Sequence, residues 1–221
     1  MSLPPIVLNN DVIERKKNVK NLGVIFDETM SWSTHVNKMI SKAYYKLRKI
    51  YRFKKFLTRE SKITICESYV SSHLNYCDAV YINISEFLKT KIQKVQNSIV
   101  RFIFGLRKYD HVTPSFLSLN TLYMEERRIS HALLLMYKIT LKRAPKYLID
   151  KVSRNEDFHN YNTRKRKAIS YTITKTSLHK KSFFPSISKI FNEFMQSSKL
   201  DNVSLKTFQK HVKIYLIEKR R

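Results

Sequence analysis

Only two of the chain's 221 residues are glycine, Gly23 and Gly105. Glycine supplies the left-handed backbone of tight loops, so this poverty favours helices joined by short connections. It also argues against a glycine-rich phosphate-binding loop. Hydrophobic residues make up 43% and aromatic residues 12%, enough for a packed core and against global disorder. The length fits one large domain or two small ones.

Hydrophobic spacing divides the chain. Ile6-Val7-Leu8 and Val12-Ile13 flank the turn-forming Asn9-Asn10-Asp11, which predicts a hairpin. A second extended run, Val19 to Phe26, is broken by Gly23. So few strands need something to pack against; the chain reads as opening inside a sheet that a longer protein would complete. From Ser33 the period becomes 3.6. Val36, Met39, Ile40, Ala43, Leu47, Ile50 and Tyr51 form one apolar stripe, with Lys38, Lys42, Lys46, Arg48 and Lys49 mostly off it. Ser33 or Thr34 is the expected N-cap.

A second helix is expected from about Arg59 to the late 70s, turning Ile63, Cys66, Tyr69, Val70 and Leu74 inward. A third starts with Ser85 as cap, carries Leu88, Ile92, Val95, Ile99 and Phe102, and stops at Gly105. A fourth spans Met124 to Lys142, with Glu125 and Glu126 first and Lys138, Lys142 and Arg143 last, the order the helix dipole favours. Pro145 opens a short helical turn through Leu148. Composition shifts at Lys151: residues 151–182 hold nine Lys or Arg and two acids, Glu156 and Asp157, with no lasting apolar stripe. This stretch reads as an extended basic loop or a pair of irregular strands, alternating at Ile169, Tyr171 and Ile173. Helical spacing returns at Ile187, Ile190, Phe191 and Phe194, and Ser204 caps a last helix with Leu205, Phe208, Val212, Tyr215 and Leu216. The expected fold class is therefore mainly α: strands in residues 1–30, a helical domain in 31–150, and a basic loop with C-terminal helices in 151–221.

Charge is the outlier. Against 17 Asp and Glu stand 43 Lys and Arg, a net +26. Self-repulsion of that size opposes compaction unless a polyanion neutralises it, and the usual polyanions are nucleic acid and anionic membrane. Membrane is the weaker choice, because no apolar run approaches the roughly 18–20 residues of a spanning helix; the best is Ala132 to Tyr137. The start, Met1-Ser2-Leu3-Pro4-Pro5, does not resemble a signal peptide. Cys66 and Cys77 are too few for a disulfide framework and read as two reduced, buried thiols. The expectation is an intracellular protein whose partner is RNA and/or DNA, with no membrane and no small-molecule substrate.

Catalytic patterns are incomplete. The chain contains no CxxC, HExxH or GxSxG, and its seven histidines have no ligand spacing. Cys66, His73 and Cys77 could share a helix, but no fourth ligand is evident and packing explains them as well. Two-metal chemistry needs converging carboxylates, and the adjacent acid pairs are Asp27-Glu28, Glu125-Glu126 and Glu156-Asp157. Asp27 follows a strand, where a metal ligand could sit; a turn or cap ahead of Ser31-Trp32 is the preferred reading. No cofactor is expected. What recurs is Lys and Arg interleaved with aromatics, at Tyr44 to Lys55 and at His159 to Lys167. Cations neutralise phosphates and release counterions, while exposed rings stack on unpaired bases. For the first cluster the alternative is an ordinary helix with core aromatics and solvated lysines. In the second, Arg164 to Lys167 and Lys175 have no apolar stripe to serve.

These residues also carry a resemblance. Lys20-Asn21-Leu22-Gly23-Val24-Ile25-Phe26-Asp27, then Met30-Ser31-Trp32 and His35-Val36, resemble the YLGV-x-x-D-x-x-L-x-W-x-x-H-I segment of jockey-like non-LTR retrotransposon reverse transcriptases. His73-Leu74-Asn75-Tyr76-Cys77-Asp78 is similar to the PHLDYC stretch of that family. Ile92 to Asn97 with Arg101 and Gly105 follow as its QN…R…G does. Glu126-Arg127-Arg128, Tyr137-Lys138, Pro145 to Leu148 and His159 to Arg164 complete a series running in order through nearly the whole chain. Three departures are mild: Asn21 for Tyr, Ser72 for the Pro before the His, and Phe191 for a C-terminal Trp.

The resemblance implies that the LGV strands end a palm-like sheet at the primer grip, and that the helices are thumb-like and post-thumb. The catalytic aspartates would belong to the part of the enzyme before Met1. It further implies that Leu22, Gly23 and Val24 approach the primer backbone. Lys42, Lys46, Arg48, Lys49, Lys54, Lys55, Arg164, Lys165, Arg166 and Lys167 would contact phosphates. The chain would then bind primer–template or element RNA without catalysis of its own, with the remainder of a reverse transcriptase as a partner. The alternatives are a free-standing basic RNA- or DNA-binding protein derived from such an element, and an inert remnant.

Overall fold

The computed structural model describes residue 4, residues 6–9, 11–158, 166–170 and 174–198, residue 200, and residues 202–220. The chain is mainly helical, with small antiparallel strand pairs ahead of a helical bundle. Strand β1 (Ile6–Leu8) pairs with β2 (Asp11–Ile13), and β3 (Asn18–Asn21) with β4 (Val24–Asp27). The strands fall where the sequence puts them, as two separate hairpins. Leu22 and Gly23 link β3 to β4 with φ of 45° and 86°, the two-residue mirror-image turn whose twist suits a hairpin. Of these strands, β4 reaches the core, through Val24 and Ile25.

Helix α1 (Ser33–Tyr51) buries Val36, Met39, Ala43, Leu47 and Ile50 along the expected stripe. Tyr51 departs from it and is exposed. Ile50 takes the inward position, so the next residue, about 100° around the helix, stands at the rim with its ring 5.5 Å from that of Phe102. Neither Ser33 nor Thr34 is the cap. The N-cap position falls on Trp32, whose φ is 65° and which makes no side-chain cap bond; Asp27 on β4 accepts from the Ser31 and Trp32 N–H just ahead of the helix.

Helix α2 (Arg59–Ile65) is capped by Thr58, whose Oγ1 accepts from the Ser61 N–H at 3.2 Å. It runs into a π-helical turn, Cys66–Ser71, and then α3 (Ser72–Asn75). The wider π turn rephases the stripe. Cys66, Val70 and Leu74 point inward four residues apart, whereas Tyr69, expected inward, is turned to the surface. Cys66 is the buried thiol the sequence suggests, pushed up to about 12 by burial, then by the neighbouring Glu67 charge. Cys77 is not: it follows the helix end at φ 51° and is exposed.

A 3₁₀ turn, Asp78–Tyr81, leads to α4 (Glu86–Phe104), which ends at Gly105 with φ 73° as expected. Ser85 holds the N-cap position, yet its side chain makes no cap bond. Helix α5 (Thr113–Leu119), which opens on Thr113-Pro114, has no counterpart in the sequence reading; seven residues are too few to establish a stripe. Helix α6 (Met124–Thr140) stops short of Lys142, which takes φ 55°. After α7 (Lys146–Ile149), β5 (Ser153–Arg154) pairs with β6 (Ile169–Ser170). Then come α8 (Ser177–Lys180), α9 (Phe183–Ser198) and α10 (Leu205–Lys219), the last capped by Ser204 Oγ on the Thr207 N–H at 3.1 Å. Tyr171 and Ile173 lie outside the described residues.

Two apolar clusters hold the fold. The first joins α1, the π turn and α4 through Val36, Ala43, Cys66, Val70, Ile92 and Val95, all fully buried. The second joins α6, α9 and α10 through Leu133, Met136, Ile187, Phe194 and Phe208, with the Tyr137 ring stacked on Phe208 at 3.9 Å. Each such side chain contributes roughly 1.5–3 kcal/mol. The C-terminal helices thus share a core with α6 across residue 150. Among the described residues no helix is long and apolar enough to cross a membrane.

Candidate nucleic-acid interface

The corner between β4 and α1 sets the geometry of the candidate surface. Asp27 Oδ1 accepts from the Thr29 N–H (3.2 Å), the Thr29 hydroxyl (2.6 Å) and the Ser31 N–H (2.8 Å). Its Oδ2 accepts from the Trp32 N–H at 2.8 Å. Slight burial by itself would raise this carboxyl, but the hydrogen bonds from Thr29, Ser31 and Trp32 outweigh it and hold the group at about 2. Asp27 is therefore a turn residue, with its lone pairs spent on the corner. Among the described residues no three His, Cys, Asp or Glu side chains gather to hold a metal.

Beyond Asp27 the corner closes with rings. Phe26 meets Trp32 edge-on at 5.3 Å, and Trp32 and His35 lie 6.1 and 5.2 Å from Tyr81. His35 Nδ1 accepts from the Ile25 N–H at 3.3 Å. Burial, then the Lys42 charge, push its pKa down, so it serves as a neutral acceptor. The residues that carry the family resemblance here, Gly23, Asp27, Trp32 and His35, thus fasten the β3–β4 hairpin to the start of α1.

That fastening aligns two elements into one basic row. Lys42, Lys46 and Lys49 lie at i, i+4 and i+7 and share a flank of α1. The π turn and α3 run antiparallel beside them. Lys46 Nζ donates to the Tyr69 carbonyl at 3.0 Å and sits 4.0 Å from the centre of its ring. Burial, then Lys46 and Lys42, lower the pKa of His73. Next along the same edge, the Tyr76 hydroxyl donates to the Leu22 carbonyl at 2.7 Å. The row therefore runs from the end of α1 towards the hairpin tip. At 1.5 Å per residue, Lys42 to Lys49 spans about 10 Å, or about three nucleotide steps of one strand.

Each described residue expected at the interface has a definite place. Leu22 projects at the tip, 83% exposed, while Val24 is buried against α1 and has no free side chain for a ligand. Gly23 is the point of close approach, although what approaches is Tyr76: a Cβ there would stand 3.3 Å from its Cε1. Lys42, Lys46 and Lys49 are together, whereas Lys54 and Lys55 are in the turn after α1, with Lys54 over the Tyr51 ring beside Phe102. Arg48 is exposed on the other flank of α1, about 100° from Lys49. Arg166 and Lys167 are elsewhere, because they lead into β6, which packs on α9 in the second cluster. Arg166 lies 3.8 Å from Glu156, and Lys167 borders a separate cavity of about 920 Å³ with Arg154 and Lys189. Arg164 and Lys165 lie outside the described residues.

Two features set this row apart. Between Glu28 and Glu60 the chain has nine Lys or Arg and no carboxylate, and none of Lys42, Lys46, Arg48, Lys49, Lys54 or Lys55 forms an ion pair among the described residues. Several cations elsewhere are paired, among them Arg127 with Glu67, Lys89 with Glu86 and Glu125, and Arg220 with Glu126. Second, the aromatics of the segment are surface residues and not core, as Tyr44, Tyr45, Tyr51, Phe53 and Phe56 are all exposed. Lys49 and Lys54 lie 4.5 and 5.2 Å from the ring centres of Tyr45 and Tyr51. Sequence reasoning missed Tyr69, His73 and Tyr76 as neighbours of the row; the one signal pointing to them was the family resemblance of the His73–Asp78 stretch.

Comparison with protein-family models, with curated proteins and with solved structures finds no match to this chain.

Proposed function

We propose that this chain grips nucleic acid, as the thumb-like, C-terminal part of an RNA-directed DNA polymerase of the non-LTR retrotransposon kind. In this reading it holds primer–template or element RNA, performs no catalysis by itself, and works with the remainder of such an enzyme. The observation that carries the reading is the unpaired basic row of α1, faced with exposed rings and running towards the hairpin tip. A cation without a carboxylate partner keeps its full attraction for phosphate, and three in line suit a repeating polyanion. The in-order resemblance of the LGV, HLNYC and QN stretches supplies the polymerase context.

Fluorescence anisotropy with a labelled primed RNA template tests the binding half. Binding is expected at a Kd of roughly 10⁻⁴–10⁻⁶ M near physiological salt, weakening steeply as salt rises. A primer-extension assay with Mg²⁺ and nucleotides tests the other half, and no product is expected. Absence of binding at low salt, or extension by this chain alone, would overturn the proposal.

A further inference from the structure

At the end of the basic row, Ile50, Phe53, Leu57, Ile65 and Tyr69 line a cavity of about 280 Å³, with Lys49 at its edge. Its walls come from the end of α1, the turn after it, α2 and the π turn. Two properties conflict unless something enters. The lining is almost wholly apolar, yet it opens to solvent, and Phe53 remains 59% exposed. Its surroundings are the most cationic stretch of the chain, with Lys46, Lys49, Arg52, Lys54 and Lys55 within ten residues and no carboxylate in the lining.

We infer that this cleft receives one unpaired nucleobase of a single-stranded segment, while the lysines beside it hold the flanking phosphates. The inference rests on the nucleic-acid reading and adds to it the strand state and the seat of the base. Size sets the limit. Small-molecule sites usually exceed roughly 300 Å³, so this cleft suits one planar ring system and not a larger ligand. Charge decides the class: an apolar slot with the Lys49 and Lys46 ammonium groups at its edge attracts a flat, apolar-faced group attached to an anion, which describes a nucleotide. A paired base cannot enter, because it is stacked inside its duplex and must first be unstacked. The π turn makes the site, since it turns Tyr69 out of the core and onto the rim, where Lys46 lies against its ring.

The test uses the full chain and three labelled probes: a single-stranded RNA, the same strand with consecutive abasic positions, equal to it in length and charge, and a blunt duplex. The wild-type chain is expected to bind the base-bearing single strand roughly tenfold more tightly than the abasic one. A 2-aminopurine placed in the strand should change its fluorescence on binding. Phe53→Leu keeps the cleft apolar and, at an exposed position, leaves the fold intact by thermal unfolding. This variant should lose most of the preference and the 2-aminopurine signal while binding the abasic strand and the duplex as before. Equal wild-type affinity for base-bearing and abasic strands, or an unchanged preference in Phe53→Leu, overturns the inference and leaves the basic row standing. Failure of the wild-type chain to bind any of the three removes the nucleic-acid reading itself.

Discussion

Replacing Asp27 by Asn should destabilise the chain while leaving its size and shape almost unchanged. The carboxylate accepts three bonds on Oδ1 and one, from the Trp32 N–H, on Oδ2. An amide can supply an acceptor for one of these sets. Its NH₂ then faces either the Trp32 N–H or the Thr29–Ser31 donors, and one set is orphaned. Holding the carboxyl at about 2, against an ordinary 3.8, corresponds to at most about 2.4 kcal/mol at 1.36 kcal/mol per pH unit. The group is open to water on one side, and screening reduces that to roughly 1 kcal/mol. For a chain of 221 residues that lowers Tm by about 2–4 °C.

Trp32 is the chain's single tryptophan, so its fluorescence reports on this corner during melting. The sign with pH follows from the lowered pKa. A carboxyl depressed in the folded state contributes stability above pH 3.8 and loses it as pH falls towards 2. The gap between wild type and Asp27→Asn should therefore be widest near pH 7 and should narrow between pH 4 and 2. An equal Tm at pH 7, or a gap that persists undiminished at pH 2, would refute the reasoning.

Three further outcomes are expected. Gly23→Ala forces an L side chain to φ 86° and places its Cβ 3.3 Å from Tyr76 Cε1; it should cost about 1–2 kcal/mol by chemical denaturation and speed amide exchange at residues 22–24. One thiol per chain, Cys77, should react with an aromatic disulfide reagent at pH 8 in the native state, and two should react in denaturant, because Cys66 is fully buried with its thiol pushed up to about 12. Phe194→Ala empties a fully buried site between α9 and α10 and should cost about 3–5 kcal/mol, unfolding the C-terminal helices together with α6 in one transition followed by circular dichroism.

The parts of this fold legible in the sequence are those fixed by neighbours along the chain. Asn9-Asn10-Asp11 marked the first hairpin, Gly23 marked the break between β3 and β4, Gly105 marked the end of α4, and Ser204 marked the start of α10. The misreadings come where packing between elements decides. A 3.6 period places Tyr69 inward, and only the π turn, selected by packing of Cys66 and Val70 against α1, turns it out. Local rules nominate Ser33 or Thr34 as the cap; the position falls instead on Trp32, held by the Asp27 carboxylate that the turn after β4 brings back to its N–H. Of the candidate interface, Lys42, Lys46 and Lys49 were legible from their spacing. Their partners Tyr69, His73 and Tyr76 were not, because they sit on the antiparallel segment some 25–35 residues further on. Arg166 and Lys167 share a charge pattern with the row but not its place, since β6 is held by α9 through the Asn192 amide, which bonds the Ile169 N–H and carbonyl at 2.9 Å each.

The salt dependence of duplex binding by a charge-deleted row tests the central claim most directly. Lys42, Lys46 and Lys49 changed together to Gln should reduce the slope of log K against log salt by about 2.7, at about 0.9 for each phosphate no longer neutralised. A control with Lys151, Lys206 and Lys210 changed to Gln removes the same charge from exposed positions outside the row, and its slope should stay near that of the wild type. Equal slopes for the two triple variants would contradict the account, because net charge alone, and not the row on α1, would then be what holds the nucleic acid.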